Sequence, residues 1–596
     1  MALNGADWIF IIAFFIVSLV IGLVVAKQSG KNTSEFFLSG RSMPWWLLGV
    51  SMVATTFSAD TPNLVTSIVR QDGVAGNWVW WAFLITGMMT VFVYAKLWRR
   101  SGVLTDLEFY ELRYSGKMAA FLRGFRAIYL GFFFNVMILA TVSLAAIKMG
   151  SIMLGLKPWE TLLYASVITV IYSAMGGLRG VIITDFFQFG IAMAGSIIAA
   201  IVIMRLPEVG GVKQLLSHPE VQAKLNILPD LSDTDQLWSL LILPLAIQWW
   251  SVWYPGAEPG GGGYIAQRML AAKDENHAVG ATMLFNAAHY ALRPWPWILI
   301  ALASLVVFPQ LENIQAAFPQ IPADKIGHDL GYPAMLTFLP HGLLGLVVAS
   351  LIAAFMSTLS TQLNWGSSYL VNDFYRRFVN PNASEKQLVS AGRISTVALM
   401  IFAAVFALLL TDALQGFSIL LQIGAGTGLI FILRWFWWRI NAYSELAAMV
   451  ISFAVALYFE LLHTKLGFDP VSTHWKLIIA VGITTVGWLL VTFLTRPTDH
   501  KTLVNFYRVT QPDATGWQPV VNSAVQEGAL QKDQIQLGKL PLQIACIFIG
   551  CFAVYGSLFA AGFWIYGRVV PAIIGTIIAG LSITGLLILW NRIRKL

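Results

Sequence analysis

The chain has 596 residues, of which 57% are hydrophobic and 11% charged, with a formal net charge of +8. Soluble domains carry about 25% charged residues, so a soluble globular protein is excluded and a polytopic membrane protein is indicated. The alternating segments of about 10 residues that mark a membrane β-barrel are absent, which leaves an all-α integral membrane protein.

Apolar runs of about 20 residues, each long enough to cross a bilayer as a helix, lie near 8–26, 45–69, 77–95, 127–155, 158–175, 181–204, 236–256, 278–307, 335–372, 390–411, 413–437, 443–461, 475–494, 541–563 and 569–590. The predicted architecture therefore has about fifteen transmembrane helices. The first run is longer than a signal-peptide core and no small-residue cleavage site follows it, so it reads as structure. With the N-terminus outside, most Lys and Arg fall on one side, in segments such as "AKLWRRSG", "AQRMLAAK", "FYRRF" and "NRIRKL". The positive-inside rule makes that side the cytoplasm and puts the C-terminus there. The positive charge thus follows from topology and implies no nucleic-acid partner. Sequons at Asn32 and Asn382 fall on cytoplasmic loops and no outer loop carries one, which points to a bacterial inner membrane. The two cysteines, Cys546 and Cys551, read as packing residues of one helix.

Two spans are interrupted by residues that lipid makes costly. In "SMVATTFSADTPNLV", residues 51–65, a carboxylate, several hydroxyls and a proline interrupt the second span. In "WWSVWYPGAEPGGGGY", residues 249–264, two prolines, a carboxylate and a glycine run break the seventh. Broken helices five spans apart describe two inverted repeats whose unwound segments meet at the membrane midplane to hold substrate and cation. The expected organisation is an extra helix and loop at 1–44, a transport core at 45–440 (repeats about 45–204 and 236–437), and additional helices at 441–596 with a cytoplasmic segment at 495–540. No polar segment is long enough for a separate catalytic domain, so no enzymatic activity is expected.

A hydroxyl stripe offers the cation site. In "AAFMSTLSTQLNWGSS" the helical period of about 100° per residue brings Ala354, Ser357, Thr358 and Thr361 onto one face. A small hard cation prefers oxygen ligands, and two such hydroxyls with carbonyls freed by a broken helix would supply a shell of low charge. Hydrogen bonding between helices explains the same residues equally well.

Together "SMVATTFSAD", "YSAMGGLRGVIITDFFQF", "IAQRMLAAK" and "LIAAFMSTLSTQLNWGSSYLVNDFY" resemble the sodium:solute symporter family, which includes the sodium/glucose, proline and sialic acid cotransporters. The resemblance covers about residues 8–460. It implies the five-plus-five inverted-repeat (LeuT-like) fold and uptake of a small polar organic solute coupled to sodium, the co-transported ion. The family's main sodium site matches the carbonyls of Ala54, Phe57 and Ala354 and the hydroxyls of Ser357 and Thr358. Some members hold a second sodium with an Asp at the position of Asp185 and hydroxyls like those of Ser357, Ser360 and Thr361; pairing of Asp185 with Arg179 is the other reading.

For the solute, the resemblance sets Asp60 and Thr61 where sugar carriers place a Glu–Gln-like pair, and His289 about where they place a Lys. Trp80 and Phe83 fall where those carriers use polar contacts, and core packing explains them as well. Glu258 reads either as a substrate contact or as part of a cytoplasmic gate, and Arg293 near His289 keeps an acidic solute open. "RWFWWR", 434–439, reads as an interfacial anchor. The expectation is a symporter for a sugar or sugar-like compound, the alternatives being a sugar acid, carboxylate or amino acid, and a ligand sensor on the same fold.

Overall fold

The computed structural model describes residues 3–29, 32–250, 259–321, 323, 326–410 and 426–593. Only helices satisfy every backbone group within the segment itself, as lipid requires, and the described residues form helices throughout with no strand. Among the described residues eleven helices are long and apolar enough to cross a membrane, and two shorter apolar helices, Trp45–Thr56 and Pro158–Ile171, coincide with two further predicted spans. The predicted spans at 236–256 and 413–437 fall partly outside the described residues, so the count of fifteen is not reached.

The helices that position the site are, in chain order, α1 (Gly5–Ser29), α2 (Trp45–Thr56), α3 (Asp60–Asp72), α4 (Val74–Ser101), α5 (Gly116–Met153), α6 (Pro158–Met204), α7 (Gly263–Ala271), α8 (Glu275–Val307) and α9 (Leu343–Val379). Helix α6 turns sharply at Gly177, which has φ 54° and ψ −162°, so the two spans predicted at 158–175 and 181–204 run into one another. Helices α1, α2, α8 and α9 all pack against α6, and α9 also packs against α2. Asp7 at the start of α1 accepts from the N–H groups of Gly342 and Gly345 at 2.7 and 2.8 Å, satisfying donors at the first turn of α9.

Both interruptions occur where the sequence placed them, as far as the second is described. The first is the gap of Phe57 to Ala59 between α2 and α3. At the second, α7 is entered through Gly260 and Gly261, with φ of 89° and 82°. The carbonyl of Gly260 accepts from Trp98 Nε1 at 2.6 Å, and a Cβ there would stand 3.3 Å from the Tyr94 ring in a conformation side chains rarely adopt. Residues 251–258, with Glu258, lie outside the described residues.

The segment after α12 (His474–Leu494; preceded by α10, Glu385–Leu409, and α11, Ala442–Leu462) folds back on the core. Its helix α13 (His500–Thr510) and the residue before α14 (Gln518–Gln526) carry aromatic side chains into a cluster around Arg113. The Arg113 guanidinium lies 4.8 Å from the Trp517 ring and 5.3 Å from that of Phe506, and Trp517 Nε1 donates to the Trp435 carbonyl at 2.8 Å. This corrects the reading of 434–439 as an interfacial anchor for its first two residues: Arg434 and Trp435 are buried, Arg434 3.4 Å from Glu445 and Trp435 against Phe506 of α13, while residues 436–439 stay half-buried. Trp517→Ala, which removes a fully buried indole, is expected to cost about 3–5 kcal/mol. The loss should appear as new protease cleavage within 495–540 and a lowered thermal midpoint. Two final helices, α15 (Leu540–Ile565) and α16 (Val569–Ile593), pack on each other, and α15 also packs on α4 and α8.

Candidate functional site

The chain leaves helical geometry at Phe57, with φ −101° and ψ 81°, and resumes it at Asp60. A helix end leaves four carbonyls without intrahelical donors. Here those of Val53 and Ala54 share the N–H of Phe57 at 2.9 and 3.1 Å. The Thr55 carbonyl accepts from the Thr358 hydroxyl at 2.8 Å, and that of Thr56 accepts from Thr61 at 3.4 Å. Thr358 reaches across because the α9 stripe faces the end of α2. Ala54, Phe57, Ala354, Ser357 and Thr358 are all buried around this contact. A hydroxyl that donates its hydrogen keeps two lone pairs, so Ser357 and Thr358 retain oxygen ligands for a hard cation.

Ser357 joins this contact to a second network. Its hydroxyl donates to Asp185 Oδ1 at 2.7 Å, and Ser51 donates to Oδ2. Arg268 of α7 lies 3.6 Å from the same Oδ2, with both side chains wholly buried. Its guanidinium also donates to Thr361 Oγ1 at 2.6 Å, Gln267 Oε1 at 3.1 Å and Ser51 Oγ at 3.2 Å. Thr361 is hydrogen-bonded to Thr55 at 2.9 Å. Of the residues read as a second cation site, Asp185 and Thr361 thus meet through Arg268. Ser360 instead donates to the Ser357 carbonyl at 3.0 Å, along its own helix. The arginine that reaches Asp185 is Arg268, not Arg179.

Beside the first break lies a third group. Thr56 Oγ1 accepts from Arg293 Nη1 at 3.1 Å and is 2.9 Å from His289 Nδ1, while Arg293 Nη2 is 2.9 Å from His289 Nε2. A guanidinium only donates, so Nε2 accepts, the imidazole is neutral, and its Nδ1–H donates to Thr56. Trp80 lies against this histidine, with ring centroids 5.7 Å apart, and stacks on Tyr290 at 5.9 Å. Phe83 is buried a turn further along α4. Asp60 opens α3 with its Oδ1 buried and without a hydrogen-bond partner, and Thr61 is turned back to the break. The structure therefore groups His289 with Trp80 and Thr56, and sets Asp60 and Thr61 in the first turn of α3. Among the described residues no group of three or more His, Cys, Asp or Glu could hold a metal.

Sequence reasoning missed Ser51, Thr55 and Arg268. Ser51 and Thr55 are four apart on one face of α2, a spacing visible in the first interrupted span. Arg268 stands inside "IAQRMLAAK", where its charge read as a topology signal rather than as a buried partner.

A model of the sodium:solute symporter family matches residues 36–452. The chain is 26% identical to a sodium/glucose cotransporter of Vibrio parahaemolyticus over 482 residues, covering 78% of this chain and 87% of that one. It is 26% identical to sodium/glucose cotransporter 1 of Oryctolagus cuniculus over 494 residues, covering 76% and 72%. Among solved structures, a Na+-coupled sialic acid symporter in a substrate-bound outward-open state matches with a TM-score of 0.68 at 20% identity, covering 83% of this chain and 99% of that one.

Proposed function

We propose that this chain, which belongs to the sodium:solute symporter family, binds its co-transported sodium where the end of α2 meets α9 and a sugar-like solute beside the first break. As a member of that family it is a sodium-coupled membrane transporter and not an enzyme. The observation that carries the reading is the Thr358 hydroxyl meeting the open carbonyl end of α2 at 2.8 Å. An ion held between oxygens of a broken helix and oxygens of a continuous one binds best when the two stand together. Its binding therefore shifts the equilibrium between conformations, by as much as its affinity differs between them. The solute, seated at the neighbouring break, depends on the same arrangement. The names of the sodium/glucose relatives and the polar groups of Asp60, Thr61 and His289 support a hydroxylated solute. The basic segments support an N-terminus outside and a C-terminus in the cytoplasm, and the lack of a sequon on the outer loops supports a bacterial inner membrane.

Ser357→Ala or Thr358→Ala is expected to raise the sodium concentration for half-maximal uptake by tenfold or more, about 1.4 kcal/mol, with the thermal midpoint little changed. Uptake into proteoliposomes under a sodium gradient reads this out. Full uptake driven by a proton gradient in sodium-free buffer would refute sodium coupling. A second sodium at Asp185 with Ser360 or Thr361 would have to share that carboxylate with Arg268, which lies 3.6 Å from it. It requires a Hill coefficient for sodium above one in the wild type, falling toward one in Asp185→Asn.

A further inference from the structure

The end of α8 is closed by an arginine from another helix. Arg70, near the end of α3 and 4% exposed, donates through Nη1 to the Ser304 carbonyl and through Nη2 to the Phe308 carbonyl, both at 2.8 Å. A cation there satisfies carbonyls that a helix C-terminus leaves open and suits its dipole. Arg70 Nε donates to His328 Nδ1 at 3.3 Å. His328 opens a short helical stretch, His328–Leu330 followed by Gly331–Leu336, and the next residue, Asp329, pairs with Lys148 of α5 at 2.8 Å. The stretch is tightly seated: a Cβ on Gly331 would stand 3.0 Å from Ser304 Oγ and 3.1 Å from both Arg70 Cδ and Thr66 Cγ2. Two adjacent side chains thus tie together the ends of α3, α5 and α8, which lie on the side opposite the basic segments. With the orientation proposed above, that side is the outside.

A guanidinium only donates, so Nδ1 accepts and His328 is neutral in this seat. A proton on Nδ1 would turn the acceptor into a donor and set a second cation against Arg70. Among the described residues the charged groups around His328 are Arg70, Lys224, Asp329 and, through Asp329, Lys148. Lys224 adds to the repulsion, and Asp72 acts on Lys224 rather than on His328. Asp329 has the opposite sign but is already held by Lys148. Burial, then Arg70, hold the histidine below its ordinary value of about 6.5. The seat is therefore at full strength above about 6.5 and weakens as the pH falls from there toward the lowered value.

We propose that His328 and Asp329 form a proton-sensitive latch: outside protons turn His328 into a cation, release the stretch from Arg70 and free the outer end of α3. Asp60 stands ten residues before Arg70, about 15 Å along α3, so the latch fixes the far end of the helix that starts at the first break. Acid outside then shifts the protein away from the arrangement in which α3, α5 and α8 are tied together.

Hydrogen–deuterium exchange of peptides covering 326–336 and 60–72, on the full chain in detergent at about pH 8 and about pH 5, tests the latch. The proteins are the wild type, His328→Gln, whose side-chain oxygen accepts from Arg70 without titrating, and His328→Lys, charged at both pH values. Comparing them at one pH removes the pH dependence of exchange itself. Wild type and His328→Gln should agree within twofold at about pH 8; at about pH 5 the wild type should exchange at least fivefold faster, as His328→Lys does at both. A ratio of wild type to His328→Gln that is the same at the two pH values overturns the proposal. Should His328→Gln exchange as fast as His328→Lys at about pH 8, the ratio of wild type to His328→Lys decides instead. Convergence of those two in acid supports the latch, and a constant ratio overturns it. Exchange needs neither solute nor sodium, so its outcome stands apart from that of the transport reading.

Discussion

Asp185→Ala is expected to abolish sodium-driven uptake and to destabilise the protein by about 3–5 kcal/mol, the cost of leaving a buried charge without its partner. Arg268 would lose its counter-ion 3.6 Å away at a place where both side chains are wholly buried. Ser357 would lose the acceptor that fixes its hydroxyl, and Ser51 its own. The effect therefore reaches the main sodium contact through Ser357 as well as the packing of α2, α7 and α9. Asp185→Ala combined with Arg268→Met removes both charges and should recover most of the stability, since a buried pair replaced by apolar groups of similar volume is often neutral. Thermal unfolding of the single and double variants in detergent measures the coupling. A double variant no more stable than Asp185→Ala would show that the pair is not the source of the loss.

Asp60→Ala should weaken solute binding by tenfold or more, about 1.4 kcal/mol, while leaving sodium binding within twofold. A hydrogen bond to a charged group contributes roughly 1.5–3 kcal/mol, and Asp60 Oδ1 is buried without a hydrogen-bond partner, so the carboxylate keeps an acceptor for the solute. Competition for uptake by unlabelled solute, with Asp60→Asn as a second variant, reads the affinity. If Asp60→Ala and His289→Ala both leave it within twofold, the solute binds elsewhere.

The breaks were legible because lipid makes polar residues and helix breakers so costly that "TTFSADTP" and "PGAEPGGGG" stand out in apolar surroundings. The α9 stripe was legible because helical periodicity alone puts Ser357 and Thr358 on one face. Which carbonyl Thr358 meets was not, since the register of α9 against α2 is set by packing; it is Thr55, alongside Ala54 and Phe57. Arg268 and Arg434 were misjudged for one reason. Charge near a span end signals topology in a sequence, and only the fold shows that these two side chains turn inward to Asp185 and Glu445. The fate of 495–540 was equally hidden, because the partners of Trp517 are Arg113 and Trp435, far away in the chain.

The central claim is that sodium binds between the end of α2 and the hydroxyls of α9. Equilibrium binding of radioactive sodium to purified wild type, to Ser357→Ala/Thr358→Ala and to Asp60→Ala tests it most directly. Saturable binding in the wild type and in Asp60→Ala, weakened tenfold or more in the α9 variant, is the predicted result. Sodium affinity in Ser357→Ala/Thr358→Ala equal to that of the wild type would contradict it.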